Sequence, residues 1–585
     1  KPLTAERGHF LTTTANKSSQ GYFFKDALGG YQLVQGPEKN QWKDCPISEE
    51  FRVDWISLHD DSDGPLPYEG DDWLAWLDSM TYKDYIEKEL KLNPQIVKWV
   101  DAELAYSGGG LGAEVCSARV AFLYEMPGVF RYYRKLGESM GFGKNANLKE
   151  LESQIKGQMF PGGNSCILRH FVKKLNPAAI TGGDNLNDIL NGSVNFQNLD
   201  RRRNKTNIRL NATVSSIRHE GNPETAKHLG ITYYDAKSKT MQRVRARGVV
   251  CATPGMIGKR ILSDMPKPLF EAMDHYAHAP MLTVNVALRN WRFMERKGVT
   301  SARYFGGKFG WYFNLRHGLK VGDYDEPWDP NKPAILTIYK SFEDRGAGTE
   351  NLSGKQKAKL ARYELLSKSY AEYEQEVLQQ LNELFGDSGF DAQKDVAAIT
   401  LNRWGHDYIV VEPNFWTGKD GTEENGVPAT IQRGYGLVSI AHAELEGRQT
   451  WMGASANGER AAKQILRKQQ SSEASIEGDW KDNEINSVLR ISINDGVATG
   501  VIVVAGDGLS ANEVQRRLGM RIMNGLNQDG EKWKDGTIVD PESGTQYGCQ
   551  LYLESDDELT IRAYAGSVFF GQDFNWKRVK QQKAL

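Results

Sequence analysis

The run Gly453-Ala454-Ser455-Ala456-Asn457-Gly458-Glu459-Arg460-Ala461-Ala462-Lys463-Gln464-Ile465-Leu466 has the spacing best suited to chemistry in this chain. Its pattern predicts a helix from residue 453 to 468. The first turn of a helix offers unpaired N–H groups and the positive end of a dipole. Both suit a pyrophosphate or the electron-rich edge of a planar ring. Gly453, Ala454 and Ala456 let a flat group approach the backbone, and Gly458, Ala461 and Ala462 let the helix pack tightly on a sheet. The bland alternative is a surface helix on a sheet with no ligand. A second glycine-rich run, residues 108–113, satisfies Gly-x-Gly-x-x-Ala, with Glu125 near the usual acidic position. A dinucleotide fingerprint follows an apolar strand. Residues 97–104 are amphipathic and helical instead, so this run is expected to be a corner between helices.

The elements that must position such a site come from a chain of 585 residues, long enough for several domains and a large core. The net charge of -2 gives no bulk attraction to nucleic acid or an anionic membrane. The five cysteines (Cys45, Cys116, Cys166, Cys251, Cys549) are scattered without CxxC spacing, which argues against a disulfide framework or zinc site. Glu220, Asp325 and Glu326 do not fall at metal-ligand spacing with histidine, and no metal is expected. Arg201-Arg202-Arg203 reads as a solvated turn. No apolar run is long enough for a transmembrane helix, and the chain opens at Lys1 without an apolar signal stretch.

Residues 1–70 are polar and read as irregular. Residues 73–141 have helical periodicity, with Pro127 starting a further helix. A helix is expected over 166–175, then short strands at 208–210, 213–219, 231–234, 241–246, 248–252 and 281–289. A long amphipathic helix is expected over 355–384, with 391–404 continuing in the same style, then a strand at 437–441. Residues 469–477 read as a linker. Beyond them, alternating apolar residues between Gly/Asp/Asn turns predict a small all-β barrel over 478–585.

The order Ile440-Ala441-His442-Ala443-Glu444, Thr450-Trp451-Met452-Gly453-Ala454, Gly458-Glu459-Arg460-Ala461-Ala462 resembles the C-terminal flavin segment of the amine-oxidase family. Residues 211–217 around Val214 resemble its adenine-bracketing strand, and Val249-Val250-Cys251-Ala252-Thr253-Pro254 its apolar strand near the dinucleotide. Gly21-Tyr22-Phe23-Phe24-Lys25, Phe160-Pro161-Gly162-Gly163-Asn164-Ser165, Asn290-Trp291 and Asn402-Arg403-Trp404-Gly405-His406-Asp407-Tyr408 look like bacterial spermidine-dehydrogenase-type flavoproteins. The resemblance implies an α/β (α+β) flavoprotein fold over 1–468, in which an incomplete FAD-binding domain interleaves with a substrate domain. It implies FAD held by Val214, Cys251, Ala252, Thr253, Pro254, Glu444, Thr450, Trp451, Met452, Gly453, Ala454 and Asn457. In that family the acid binds the ribitol-phosphate portion, and the residues before Gly-Ala abut the ring. Thr450 stands where the family often has an aromatic. The family's Rossmann strand and Gly-x-Gly-x-x-Gly loop have no counterpart here.

The implied reaction is oxidation of a C–N bond in an amine, with hydride leaving to FAD. Trp404, His406 and Tyr408 are expected on the substrate wall, with His406 able to accept a proton; the alternative is a core cluster. The family's lysine behind the flavin is replaced by Thr283 and Asn285, which favours a dehydrogenase over an oxidase. The expected partners are a second polypeptide carrying the Rossmann unit, a small amine and an electron acceptor. A desaturase or oxidase of a lipid-like substrate and a non-catalytic scaffold subunit are the alternatives. Residues 478–580, with Trp480, Trp533, Trp576 and the pair Phe570-Gly571, resemble an exported bacterial lipocalin-like family. That resemblance points to a periplasmic or exported location, the alternative being cytoplasmic.

Overall fold

The structure is a computed structural model. It describes residues 20–579 except 27, 60–64, 134, 137–162, 308, 317–327, 344–347, 350, 419, 471–474, 485, 495, 530–531, 556, 567 and 569–570. Phe160–Gly162, Asp325, Glu326, Phe570 and part of the expected linker lie outside the described residues.

The strands before the barrel are β1 (Gln20–Lys25), β2 (Tyr31–Gln35), β3 (Ala212–His219), β4 (Leu229–Asp235), β5 (Thr240–Ala246), β6 (Val249–Cys251), β7 (Ala277–Leu288), β8 (Ser301–Phe305), β9 (Tyr312–Leu315), β10 (Ala334–Lys340), β11 (Val396–Val410) and β12 (Val438–Ile440). They form a seven-stranded sheet in the order β11-β7-β10-β9-β8-β1-β2, a meander β3-β4-β5 and a two-stranded parallel sheet β12-β6. In β7, Leu282, Val284, Val286 and Leu288 alternate onto one face. They pack there against helices α5 (Gly354–Ser367) and α6 (Tyr370–Phe385), through Ala358, Ala361, Leu365, Val377 and Leu381. The other helices used below are α1 (Glu49–His59), α2 (Gln95–Leu104), α3 (Asn164–Leu175), α4 (Gly255–Ile261) and α7 (Trp451–Gln470).

Several expectations are corrected. The 355–384 stretch is two helices, because Ser369 caps a new one: it accepts from the Glu372 N–H while Glu372 caps it in return. Residues 396–404 of the expected 391–404 helix are strand, part of β11 that runs on to Val410, since β11 pairs along the whole of β7. Residues 20–59 hold β1, β2 and α1 rather than irregular chain. Pro127 lies in a turn; the 3-10 turn Phe130–Tyr132 and helical residues 133, 135 and 136 follow it. Residues 208–210 are not strand. The Gly108–Ala113 run follows α2 and leads to the helix Ala118–Leu123, the expected corner.

Residues 478–578 close into an eight-stranded antiparallel barrel: β13 (Gly478–Asp482), β14 (Val488–Asn494), β15 (Val497–Val504), β16 (Arg521–Asp529), β17 (Lys532–Val539), β18 (Gln546–Ser555), β19 (Glu558–Tyr564) and β20 (Gly571–Arg578). Trp480 and Trp533 are buried in its core and Trp576 packs against it. The Trp480 indole donates to the Ile476 carbonyl at 2.7 Å. The barrel meets the rest of the chain through charged contacts. Arg467 of α7 pairs with Glu554 at 2.6 Å and lies over the Tyr552 ring, and Lys534 pairs with Glu424 at 3.1 Å.

Candidate active site

Two half-sites face each other. The first is built on the parallel pair β6–β12. The Val249 N–H donates to the Leu437 carbonyl, and the Cys251 carbonyl accepts from Ala441. Residues alternate in direction along a strand, so the Val250 N–H and C=O point away from β12. No described strand pairs with that side, and the Val250 side chain is 38% exposed. Ligands of parallel sheets bind beyond the carboxyl ends of the strands. There the chain runs into Ala252, Thr253 and Pro254 after β6, and into Glu444 and then α7 after β12.

The first turn of α7 is open. Trp451 is 39% and Met452 60% exposed, and Ala454 is exposed beside them. Thr450 caps this turn, accepting from the Gly453 N–H at 3.1 Å. Gly453 has no room for a β-carbon, which would stand 2.5 Å from the Glu446 side chain. Asn457 is buried and committed to the protein: it donates to Glu446 at 2.6 Å and to the Gly453 carbonyl at 3.1 Å.

Glu444 is buried. One carboxylate oxygen is bonded to His278 Nε2 of β7, and the other accepts from the Gly255 N–H of α4 at 2.8 Å. Burial opposes its ionisation. The hydrogen bond and charge of His278, with help from His442 and Gly255, more than compensate and hold the carboxyl below its ordinary value. In this arrangement Glu444 ties the small parallel sheet to the large one.

The second half-site is on the large sheet. Between Trp404 and Tyr408 the register of β11 on β7 slips: Trp404 faces Met281, whereas Tyr408 faces Ala279. The extra residues bulge out. Arg362 of α5 holds the bulge, donating to the Gly405 carbonyl at 2.7 Å and the His278 carbonyl at 3.0 Å. Just beyond, the Ile409 N–H donates to the Gln449 side chain at 2.7 Å, which fixes the strand to the approach of α7. Trp404 is 55% exposed and His406 is exposed, so they are not a closed core cluster. Tyr408 is half-buried. Burial, then the charges of Arg362 and His278, lower the His406 pKa and so favour its neutral imidazole. Burial pushes the Asp407 carboxyl up to about 6 against the pull of His278.

An aromatic group continues this wall. Tyr106 stands 4.5 Å from Tyr339 and 5.6 Å from Trp311, centroid to centroid, and Tyr312 stacks on Tyr339 at 6.0 Å. Burial raises the Tyr408 phenol far above its ordinary range, with smaller contributions from Asp407, Tyr124 and Tyr339. Sequence reading missed Tyr106, Trp311, Tyr312, Tyr339 and His278, which come from separate segments. Thr283 and Asn285 lie on the β7 face away from α5 and α6, half-buried, and Asn285 accepts from Thr337 at 2.8 Å. Val214 is half-buried in β3 beside Tyr233 of β4, and Cys251 is buried with its thiol 3.4 Å from the Thr253 hydroxyl. The two half-sites meet at His278, whose ring lies 6.0 Å from that of His406.

A sheet flanked by helices, joined to a short parallel sheet whose strands end at a helix N-terminus, defines an amine-oxidase-like flavoprotein fold followed by a closed β-barrel. Residues 195–466 match the family described as flavin containing amine oxidoreductase. Residues 478–578 match a family described as an uncharacterized protein conserved in bacteria. No curated protein matches the chain. Similar solved structures include a double mutant of putrescine oxidase, at 14% identity over 77% of this chain and 81% of that one, TM-score 0.41. Another is cyclohexylamine oxidase from Brevibacterium oxydans IH-35A, at 14% identity over 77% and 80%, TM-score 0.41. The barrel is similar to a Helicobacter pylori protein described as belonging to the lipocalin family, at 17% identity over 18% of this chain and 84% of that one, TM-score 0.17.

The cofactor of the flavin family is FAD. The open first turn of α7, with exposed Trp451, Met452 and Ala454, fits a planar ring and its polar chain. Glu444 and Asn457 brace that surface from behind rather than reaching out of it.

Proposed function

We propose that this chain is a subunit of an FAD-dependent amine dehydrogenase that oxidises a C–N bond, with a polyamine-like or secondary amine as substrate. The observation that carries the reading is the junction at His278, where the α7 surface and the aromatic wall of Tyr106, Tyr339 and Tyr408 come together. FAD supplies the hydride acceptor when bound. Trp451, Met452, Gly453 and Ala454 hold its ring, while Val214 and residues 251–254 line the path of its dinucleotide. Trp404 and Tyr408 orient the amine and exclude water. The neutral His406 ring accepts a hydrogen bond or proton from the amine nitrogen. Thr283 and Asn285, in place of a lysine, support transfer of electrons to an acceptor other than oxygen.

The site is completed by a partner chain. Its Rossmann strand pairs with the free side of β6 and its Gly-x-Gly-x-x-Gly loop holds the pyrophosphate. The open Val250 edge supports this. The assembly is exported to the periplasm. The chain purified alone should hold well under one FAD per molecule, and a co-purified second polypeptide should restore a yellow, amine-reducible complex. Tight stoichiometric FAD on this chain alone would sink the partner model. A colourless native complex would favour the scaffold reading, and bleaching by lipids but not amines would favour a desaturase.

A further inference from the structure

A cation beside the aromatic wall has nothing to neutralise it. Arg448 is half-buried, two residues before Thr450. Its Nε is buried and meets no acceptor, and its guanidinium makes no ion pair or hydrogen bond among the described residues. Two other arginines around the site are engaged. Arg362 donates to the Gly405 and His278 carbonyls, and Arg460 donates to the Gln432 carbonyl at 3.0 Å and to the Ile440 carbonyl. The carboxylates just before Arg448 in sequence are taken as well. Glu444 is bonded to His278 and Gly255, and Glu446 accepts from Asn457 at 2.6 Å.

What the guanidinium does touch puts it on the substrate side. It lies 5.6 Å over the Tyr124 ring. Burial pushes the Tyr124 phenol up to about 12, so this residue offers a ring and a neutral hydroxyl but no counter-charge. Tyr124 and Tyr408 pack against the same glycine corner. A β-carbon on Gly108 would collide with the Tyr124 hydroxyl, and one on Gly110 would stand 3.5 Å from the Tyr408 β-carbon. The residue after Arg448, Gln449, accepts from the Ile409 N–H at 2.7 Å, immediately past Tyr408. Residues 251–254, assigned above to the dinucleotide, join this part of the chain through Gly255 and Glu444 instead.

A partly desolvated guanidinium with a buried, unmet donor is costly to keep. A planar carboxylate satisfies it with two parallel hydrogen bonds, one of them to Nε.

We infer that Arg448 anchors a carboxylate carried by the amine that binds on this wall. The ligand class is then an amino acid with a primary or secondary nitrogen. A polyamine is disfavoured, because a free guanidinium repels its further ammonium groups. The inference rests on the reading of the wall as an amine site, and it narrows the amines allowed above to those that bear an acid group.

The test is calorimetric titration of the protein in its native assembly with N-benzylglycine and 4-(benzylamino)butanoate, each against its own primary amide. The pairs differ in spacer length, and within a pair only the charge of the acid group changes. In at least one pair the acid should bind about tenfold tighter than the amide, and added salt should shrink the gap. Arg448→Met keeps the alkyl stem over Tyr124 and should erase the gap, while Arg448→Lys should keep part of it. Equal affinity within both pairs would overturn the assignment. A gap that survives Arg448→Met would overturn it too, and a fall in ADP affinity of the flavin-stripped variant would then assign the guanidinium to the dinucleotide phosphates. Flavin reduction separates this inference from the reading beneath it. Reduction by acid and amide with equal kcat/KM in both pairs would sink the carboxylate anchor and leave amine oxidation standing. An Arg448-dependent gap in binding, with no reduction by any amine, would keep the anchor and sink amine oxidation.

Discussion

The barrel and the β6–β12 sheet handle strand edges in opposite ways. The barrel closes eight strands on one another, leaves no free edge, and fills its interior with its own Trp480, Leu489, Ile491, Leu551 and Ile561. The β6–β12 sheet has two short strands, a side at Val250 that no described strand pairs with, and an exposed apolar helix turn beside it. Exposed edges of this kind are normally covered or paired. A third apolar surface lies nearby: Leu168, Phe171 and Leu175 of α3 are 60%, 45% and 50% exposed, and Phe171 packs 5.4 Å from Trp451. The difference teaches that the two regions of one chain are not equally self-sufficient. One fills its interior with its own side chains, and the other leaves a strand edge and an apolar helix turn without a neighbour among the described residues.

The sharpest way to break this contrast is at the open edge. Val250→Pro removes the outward N–H. It should lower FAD retention in the assembled enzyme more than 100-fold, read by bound-flavin absorbance, while the barrel's melting is unchanged. Retention like wild type would mean that nothing pairs with β6. Next, Trp480→Ala removes the largest buried side chain of the barrel and should destabilise it by about 3–5 kcal/mol in denaturant melts. FAD retention should survive, and its loss would show that the barrel supports the flavin region.

A smaller effect comes from Asp407. Its carboxyl is raised in the folded protein from an ordinary 3.8 to about 6. The folded state therefore holds a proton that the unfolded chain releases between these values, and stability falls as pH rises from about 4 to 6. Asp407→Asn should flatten that part of the stability profile, and an unchanged slope would refute the assignment. Smallest is Arg467→Ala. It removes a partly exposed ion pair with Glu554 and should change neither melting transition by more than about 1 kcal/mol. A larger shift would mean that the barrel and the flavin region fold as one unit.

Much of the fold was legible in the sequence where local signals agree. The small-residue helix after Thr450, the apolar strand ending at Pro254 and the alternating strands of the barrel all have the expected form. The helix starts at Trp451, two residues earlier than its glycine suggested. Residues 396–404 were misread because one face of β11 is open, so Asn402, Arg403, His406 and Asp407 blur the alternation, and the bulge shifts the phase within it. The break between α5 and α6 had a local signal, Ser369 followed by Glu372, hidden inside a continuous apolar period. The aromatic wall had none. Trp311 and Tyr339 are brought together by the order of the large sheet, and Tyr106 reaches them from the helical turn after α2. Glu444 was singled out as a cofactor ligand, but its oxygens are engaged by His278 and Gly255, a partnership that no spacing along the chain reveals.

The outward-facing backbone of Val250 has a further consequence. When another chain supplies the neighbouring strand, holding the cofactor becomes a mass-action property of two concentrations. Dilution would then bleach the enzyme without unfolding it, and excess partner would recolour it. Flavin content in such a molecule reports on the ratio of its subunits as much as on the quality of its site.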